Sequence, residues 1–255
     1  MVKLKTLLLF LFISVVCCSG ICFAGIKLDR SYIEEVVPKG QDKTTVLKIS
    51  NDGESAQDIK IELSSFNDGQ KDIPFENWCK IEPVEIRIPQ GEARDINLTI
   101  KCPEEAEGEL RCRIHVYANE VTLIKNPTQV GMSYNIPLYV LVQGTVNVGA
   151  AINSLDVSYA NDTISGKFEV DNRSNVHIRP FINFTVEKIG SGDKKDYEVP
   201  FGQVVPKSNV RTLAFSQKDV KLDQGKYKIT IKADYGKLYG NEGFVAVFEK
   251  EFEVK

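Results

Sequence analysis

The sequence predicts an all-β protein in which two immunoglobulin-like β-sandwich domains follow a signal peptide. Three observations support this fold class. Apolar residues alternate with polar ones along many short segments, turns containing glycine or asparagine separate these segments, and helical periodicity does not extend over more than two turns. The chain of 255 residues is long enough for two domains of ordinary size, each with its own core.

The alternating segments lie in both halves of the chain. Ile59, Ile61 and Leu63, for example, alternate with charged neighbours, as is typical of a half-buried strand with a solvated outer face. Seven segments follow this pattern, namely 58–63, 84–88, 95–100, 110–116, 164–170, 176–186 and 227–233. Short strands at this spacing favour a pair of β-sandwiches.

The longest alternation runs from Val130 to Val142, where every second residue is apolar. A strand of this length exceeds the usual five or six residues, so we expect it to end the first domain and lead into the second. Gln143-Gly144 is the predicted hinge. The predicted organisation is therefore a signal peptide at 1–24, a first sandwich at 25–143 and a second sandwich at 144–255.

The N-terminus has the features of a secretory signal peptide. Lys3 and Lys5 precede an apolar segment at 7–16. Cys22-Phe23-Ala24 then resembles a small-residue cleavage pattern, which predicts a mature chain that begins at Gly25. An uncleaved membrane anchor is the alternative, because the segment is about long enough to span a bilayer. Export predicts a periplasmic protein or, alternatively, a secreted or cell-surface one.

The bulk composition restricts the class of partner. Hydrophobic residues make up 42% of the chain and charged residues 26%, as in soluble globular proteins. Loss of Lys3 and Lys5 with the signal peptide changes the formal charge from −3 to −5, and the remaining basic residues are dispersed. We therefore expect neither a nucleic-acid partner nor an anionic membrane surface.

The sequence lacks the residue patterns of catalysis and of metal or cofactor binding. The two histidines, His115 and His177, lie in different predicted domains and on the polar parity of their strands, so we interpret both as surface residues. A nucleophile elbow, a phosphate-binding loop and a zinc-protease motif are missing from the sequence. We expect a non-enzymatic protein with no cofactor, no metal and no small-molecule substrate.

The predicted mature chain has three cysteines, Cys79, Cys102 and Cys112. In an oxidising compartment an odd number means one disulfide with a leftover thiol, or no disulfide. Cys102 and Cys112 share the apolar parity of their strands, which favours a Cys102–Cys112 disulfide. Cys79 lies on the polar parity unless Pro83 marks a bulge that resets its strand, so a Cys79–Cys102 disulfide and three free thiols remain open.

The long alternating strand at 130–142 has two interpretations. Its even-numbered residues could simply fill the core of the first sandwich. Alternatively, the strand is an exposed edge without the lysine or kink that usually protects one, and it binds another chain by strand addition. The second interpretation selects as partner contacts the apolar residues Val130, Met132, Tyr134, Ile136 and Leu138.

Several segments of the predicted mature chain, taken in order, resemble one protein family. Ile26–Arg30 and the sequence TTVLKISN at 44–51 are similar to the first two strands of that family. Met132–Val142 is similar to its donated strand, and the sequence DNRSN at 171–175 falls where the family has an asparagine-rich turn. The family is that of the periplasmic pilus-assembly chaperones of the chaperone–usher pathway, which are PapD-like proteins.

The resemblance implies a function and a binding residue. An arginine near the start of these chaperones holds the C-terminal carboxylate of a pilin subunit, and Arg30 matches it. The family also has a lysine on the donated strand, where this sequence has Pro137, so one charge-assisted contact is lost.

The implied function is that of a divergent chaperone that caps pilin-like or surface-fibre subunits by strand donation. An outer-membrane usher is a further implied partner, and the unprotected edge allows self-association. The alternative is a structural or adhesive cell-envelope protein that has the same immunoglobulin-like fold and no chaperone activity.

Overall fold

The fold is described from a computed structural model. It covers residues 25–66, 69, 71–122, 129–199, 203–236, 239 and 243–255, without the side chains of residues 119–131. The predicted signal peptide at 1–24 therefore lies outside the described residues. Strands form almost all of the regular structure there, together with one short 3₁₀ helix at Phe75–Asn77, which confirms the all-β prediction. The described part contains no helix with the length and apolar character needed to cross a membrane.

The first sandwich consists of nine strands in two sheets. Their bounds are β1 Ile26–Leu28, β2 Ile33–Val37, β3 Asp42–Asn51, β4 Gln57–Ser64, β5 Cys79–Glu82, β6 Glu85–Ile88, β7 Ala93–Lys101, β8 Glu109–Thr122 and β9 Gln129–Val142. One sheet has the order β1-β3-β7-β5, and the other has the order β2-β9-β8-β4-β6. Neighbouring strands are antiparallel except β2 and β9, which are parallel.

The chain passes repeatedly between the two sheets in the first domain, and two of these changes matter here: the first lies between β1 and β2, and the second is at Pro83, between β5 and β6. The second change explains the position of Cys79. Proline is compatible with a strand end but not with a central strand, so β5 and β6 are separate strands with independent parities. Cys79 and Ile81 consequently face the core, and Lys80 and Glu82 face solvent.

The two sheets bury one core between them. Ile96, Leu98 and Ile100 of β7 are fully buried, as are Ile114 and Val116 of β8. The predicted alternation is therefore confirmed in these strands, since one parity of each strand supplies the core. Burial of aliphatic side chains of this size stabilises a domain by about 1.5–3 kcal/mol per residue.

The second sandwich consists of seven strands in two sheets. Their bounds are β10 Ala150–Ala160, β11 Thr163–Asn172, β12 Phe181–Lys188, β13 Lys194–Val199, β14 Asn209–Gln217, β15 Gly225–Asp234 and β16 Val245–Val254. The sheet orders are β10-β11-β14 and β13-β12-β15-β16. Phe168, Phe184 and Phe215 contribute aromatic rings to a separate core, which confirms the prediction of two sandwiches.

Each domain contains a buried asparagine at the end of a strand. The side-chain amide of Asn51 donates to two backbone carbonyls and its oxygen accepts the N–H of Gly53, 3.0 Å away. Asn172 donates to three backbone carbonyls and accepts the N–H of Ser174 at 2.9 Å. These bonds satisfy buried backbone groups that the turns leave without ladder partners, which explains why each sharp turn follows an asparagine.

The two sandwiches meet after β9. In the described ranges, no sheet combines strands from both sides of Gln143-Gly144, and Gly144 adopts a φ of +78° that favours glycine. Leu141, Val148 and Val176 form a small apolar cluster between the domains. The boundary at 143/144 remains a prediction, and the contacts on either side of it define the junction considered below.

Candidate functional site

Strand β9 has one edge that is paired along only part of its length. On one side it pairs with β8 from Gln129 to Leu141. On the other side it pairs with β2 through residues Leu138–Val142, in register with Ile33–Val37. None of the described strands pairs with that second edge along Gln129–Pro137. This stretch, Gln129–Pro137, is here called the open edge.

Backbone hydrogen bonds show which groups face the open edge. The N–H of Val142 donates to Gly108, which precedes β8, at 2.9 Å, and the N–H of Gln143 donates to Val37 of β2 at 3.0 Å. Successive residues of a strand direct these groups to opposite sides. Even-numbered residues of β9 therefore bond to β8, and the N–H groups of Ser133 and Asn135 face the open edge.

Pro137 fits this geometry. It lies opposite Arg113 at a position whose backbone does not bond to β8, and it is the residue next to the first β2 contact at Leu138. Its missing N–H therefore removes a donor from the outer side of β9 and none from the ladder with β8. The strand tolerates proline here because the lost donor is on the edge.

The side chains of β9 differ from the predicted partner contacts at two positions. Ile136 is 1% exposed and Leu138 is 0% exposed, and both belong to the core of the first sandwich. The prediction that these two side chains contact a partner is wrong for this conformation, because the parity that makes them apolar also directs them inward. Met132 and Tyr134 are half-buried against the same core. The side chain of Val130 lies outside the described residues.

Arg30 lies on the segment that crosses from β1 to β2, just before the β2 residue that pairs with Leu138. Its side chain is 40% exposed. Two of its nitrogens donate to Asp29 Oδ2, at 3.0 and 3.2 Å, while Asp29 Oδ1 accepts the N–H of Lys48 at 3.1 Å. The guanidinium is thus accessible on the segment that leads to the Pro137 end of the open edge, and a neighbouring carboxylate already occupies part of it.

A second arginine shares the groove with Arg30. The groove has a volume of about 630 Å³ and is lined by residues 29–34 and by Arg179 of the second domain. The Arg179 guanidinium lies 4.0 Å from the ring centroid of Tyr32, and Nη2 has no hydrogen-bond partner in the described part of the chain. Sequence reasoning missed Arg179, since only the packing of the two domains brings it to Arg30.

The domain junction contains a buried histidine between two carboxylates. His177 is fully buried and its Nε2 lies 3.3 Å from Glu34 Oε2. Its Nδ1 contacts Glu109 Oε2, which also accepts the His177 backbone N–H at 3.0 Å. The prediction that His177 is a surface residue is wrong. It assumed one strand over 176–186, whereas β12 begins at Phe181 and His177 lies in the preceding loop.

The carboxylates control the protonation of this histidine. Burial alone lowers the pKa of His177, but hydrogen bonds and charge attraction from Glu109 and Glu34 outweigh it and raise the pKa above 6.5. Burial likewise tends to raise the pKa of Glu34, yet the hydrogen bond to His177 and the nearby charges of His177 and Arg179 lower it overall. His177 and Glu34 therefore form an ion pair that joins the domains.

A stacked tyrosine and a second ion-pair network reinforce the junction. The Tyr139 ring of β9 stacks on His177 with centroids 3.9 Å apart, and burial raises the pKa of its hydroxyl to about 12. Asp72 pairs with Arg111 at 2.8 Å and with Lys207 of the second domain at 2.6 Å. Asp72 thus links a buried arginine of the first domain to a lysine of the second domain across the junction.

The three described cysteines are free thiols. The predicted Cys102–Cys112 disulfide is therefore wrong for this structure. The thiol of Cys102 donates to the carbonyl oxygen of Pro103 at 3.8 Å, whereas Cys79 and Cys112 are buried in the core of the first sandwich. Parity within single strands indicates which face of a strand a thiol occupies and does not show which thiols would meet across the core.

The prediction that His115 is a surface residue can be compared with its place in the structure. His115 is half-exposed on the outer face of the five-stranded sheet, where its Nε2 lies 2.7 Å from Ser64 Oγ, which agrees with a surface position. Across the described residues, no group of three or more histidine, cysteine or acidic side chains is arranged to hold a metal ion.

The chain is similar to several solved structures. It has 15% identity to a chaperone of class 5 fimbriae, CfaA, over 88% of this chain and 98% of that one, with a TM-score of 0.49. For the E. coli chaperone DraB, the identity is 16% over 90% of this chain and 97% of that one, with a TM-score of 0.43. A third similar chain comes from the CsuC–CsuE complex of chaperone and tip adhesion subunit, from the archaic chaperone–usher Csu pili of Acinetobacter baumannii. The identity to it is 14% over 90% of this chain and 98% of that one, with a TM-score of 0.46.

No protein-family model matches the sequence, and no curated protein matches it significantly.

Proposed function

We propose that this protein is a non-enzymatic periplasmic chaperone that binds an incomplete surface-fibre subunit by strand addition to the open edge of β9. The observation that carries the proposal is the change in pairing along the outer edge of β9, which β2 covers from Leu138 onward and which no described strand covers before that residue. An unpaired edge next to a rigid, fully paired segment is a prearranged template for a partner strand.

The open edge supplies affinity through its backbone. The N–H and C=O groups of Ser133 and Asn135 have no strand partner within the described sheets and face outward. A partner strand that pairs with them extends the five-stranded sheet by one strand. Met132 and Tyr134 are the two predicted contact residues in the described part of this segment whose side chains retain exposed area, so they replace Ile136 and Leu138 as the apolar residues that select a partner.

The groove supplies an anchor for the end of that strand. Arg30 is the proposed carboxylate ligand. Arg179 is the proposed second cation, in place of the family lysine whose position Pro137 occupies in this chain. Asp29 already pairs with Arg30, so an incoming carboxylate has to compete with Asp29 or bind the remaining guanidinium N–H groups. We therefore expect a partner that ends in a free carboxylate beside a strand that can pair with β9.

The decisive experiment compares two substitutions at one backbone position. Ser133→Pro removes the N–H that faces the open edge and leaves the bonds to β8, just as native Pro137 does. Ser133→Thr changes the side chain and retains the N–H. We expect tagged wild-type protein and Ser133→Thr to co-purify the same fibre subunit from the native cell envelope, and Ser133→Pro to lose it.

Arg30→Ala tests the anchor in the same assay. A hydrogen bond to a charged group contributes about 1.5–3 kcal/mol, so we expect the affinity for the subunit to fall by about tenfold or more. Circular dichroism and unfolding curves check that each variant remains folded. Recovery of the subunit by Ser133→Pro at the wild-type level would refute strand addition. A monomeric protein that recovers no fibre subunit would support the structural or adhesive alternative, in which the strand belongs to a finished domain.

A further inference from the structure

One ring nitrogen of His177 has two competing neighbours. Its Nε2 lies 3.3 Å from Glu34 Oε2 and 3.4 Å from Arg179 Nε. The other ring nitrogen, Nδ1, contacts the buried carboxylate of Glu109, which accepts a hydrogen bond, so Nδ1 carries a proton in either state of the ring. With a proton, Nε2 can only donate, and its acceptor is Glu34. Without that proton, Nε2 can only accept, and its donor is Arg179.

Both neighbours of Nε2 belong to the groove that contains Arg30. Glu34 and Arg179 line this groove, whereas His177 is fully buried and is not among the described residues that line it. The two lining residues are also close to each other, since Arg179 Nη2 lies 3.8 Å from Glu34 Oε2. Glu34 can therefore pair either with the histidine behind the groove or with the arginine inside it.

We propose that His177 is a positioning residue for the groove, and that the proton on its Nε2 decides whether Arg179 is available to an incoming carboxylate. With the proton, His177 holds Glu34 and leaves the Arg179 guanidinium to the partner. Without it, His177 accepts a hydrogen bond from Arg179 Nε, and Glu34 pairs with the same guanidinium. This inference rests on the proposed function, because it concerns the second cation of the same anchor.

The charges around the ring change together with this contact. When His177 is protonated, it and Arg179 balance the carboxylates of Glu34 and Glu109, and loss of the proton leaves one negative charge in excess. An excess negative charge beside the groove repels an incoming carboxylate. Loss of the hydrogen-bond donor and the change in charge therefore weaken carboxylate binding in the same direction.

The other groups that face His177 do not titrate in the neutral range. Tyr139 of β9 stacks on the ring, and the hydroxyl of Tyr239 donates to the His177 carbonyl. Burial raises the pKa of Tyr139 to about 12 and that of Tyr239 further above its ordinary value of 10, so both hydroxyls remain neutral. Since the two carboxylates raise the pKa of His177 above 6.5, the contact should change as the pH rises beyond that value.

Nuclear magnetic resonance tests the contact without any partner. The protein is expressed from its full sequence with ¹⁵N-labelled arginine and histidine, and the Arg179 Nε–H signal is assigned by its loss in Arg179→Lys. Between pH 5.5 and 8.5, we expect this signal and the His177 ring signals to shift with one common midpoint. An Arg179 Nε–H signal that does not follow the His177 titration would overturn the proposal.

A short peptide with a free C-terminus tests the consequence for binding. The probe is N-acetyl-trialanine, and its C-terminal amide is the matched control that lacks the carboxylate. We expect the carboxylate peptide to bind about fivefold more weakly at pH 8.5 than at pH 5.5, and the amide to show no such change. A carboxylate affinity that is equal at the two pH values, or undetectable at both, would overturn the proposal.

Three variants separate positioning from a general structural role. His177→Gln cannot change its charge and should bind the carboxylate peptide equally at both pH values, whereas His115→Gln should keep the wild-type difference. Glu34→Gln removes the competitor for Arg179, so its affinity at pH 8.5 should match that of wild type at pH 5.5. If His177→Gln fails to fold, the measurements on wild type and Glu34→Gln still decide the question. They use the protein alone, so their outcome is independent of whether Ser133→Pro loses the fibre subunit.

Discussion

The two halves of strand β9 have similar sequences and different environments. The first half, Gln129–Pro137, is bonded to β8 and has an open second edge. The second half, Leu138–Val142, is bonded on both sides, and its outward side chains Tyr139 and Leu141 pack on the second domain. Apolar alternation is common to both halves, so the difference arises from their neighbours.

The two halves of β9 therefore differ in what they are suited to do: the second half contributes to stability, and the first half is suited to binding another strand. The second half carries fully buried side chains on both faces and a full set of ladder bonds, which suits a rigid support. In the first half, Met132 and Tyr134 are half-buried and the backbone groups of Ser133 and Asn135 have no described strand partner, which suits a template for another strand. A strand that changes from one environment to the other within two residues can present an unpaired edge without being disordered itself.

Among substitutions that test the difference between the two halves of β9, the largest expected effect is on the free energy of unfolding. Leu138→Ala removes a fully buried side chain and should lower the free energy of unfolding by about 3–5 kcal/mol. Met132→Ala, in the first half, is the matched control and should cost about 1 kcal/mol, because its side chain is only half-buried. Denaturant unfolding of both variants measures the difference. Equal losses would show that the two halves are equally part of the core.

The next largest effect concerns the support that the second half receives from the domain junction. His177→Ala removes the partner of buried Glu109 and should lower the free energy of unfolding by about 3 kcal/mol. His115→Ala is the control, since that half-exposed histidine has one side-chain bond and should change stability by about 0.5 kcal/mol. Denaturant unfolding again measures both. A loss for His177→Ala no larger than that for His115→Ala would contradict the structural role of the junction.

Much of the fold could be predicted because each strand carries its own signal. Alternation at Ile96–Ile100 and Leu110–Val116 reports which face of a strand is buried, and the structure confirms it. The length of β9 also indicated a special strand. Alternation does not report hydrogen bonding at the edges, so the point at which β2 stops covering β9 was not predictable from it.

Contacts between distant segments were harder to predict for the same reason. His177 was misplaced because periodic apolar residues extend into a loop, and its carboxylate partners lie 68 residues away or more along the chain. The burial of Cys79 was hidden from sequence reasoning because Pro83 separates β5 from β6, so the two strands have independent parities. Arg179 joins Arg30 only through the packing of the domains.

The smallest expected effect is the pH dependence of the junction. The pKa of His177 is raised, so its contribution to stability is complete below about pH 6.5 and is lost as the pH rises through the folded-state pKa. The pKa of Glu34 is lowered, so its contribution is complete above about pH 4.5 and is lost as the pH falls through the folded-state value. The ion pair should therefore stabilise the protein most between these two limits.

Denaturant unfolding from pH 5.5 to 8.5 measures this dependence. The difference in the free energy of unfolding between wild type and His177→Gln should shrink as the pH rises. A difference that stays constant or grows would mean that His177 is not charged at the junction, and that the support for the second half of β9 comes from packing alone.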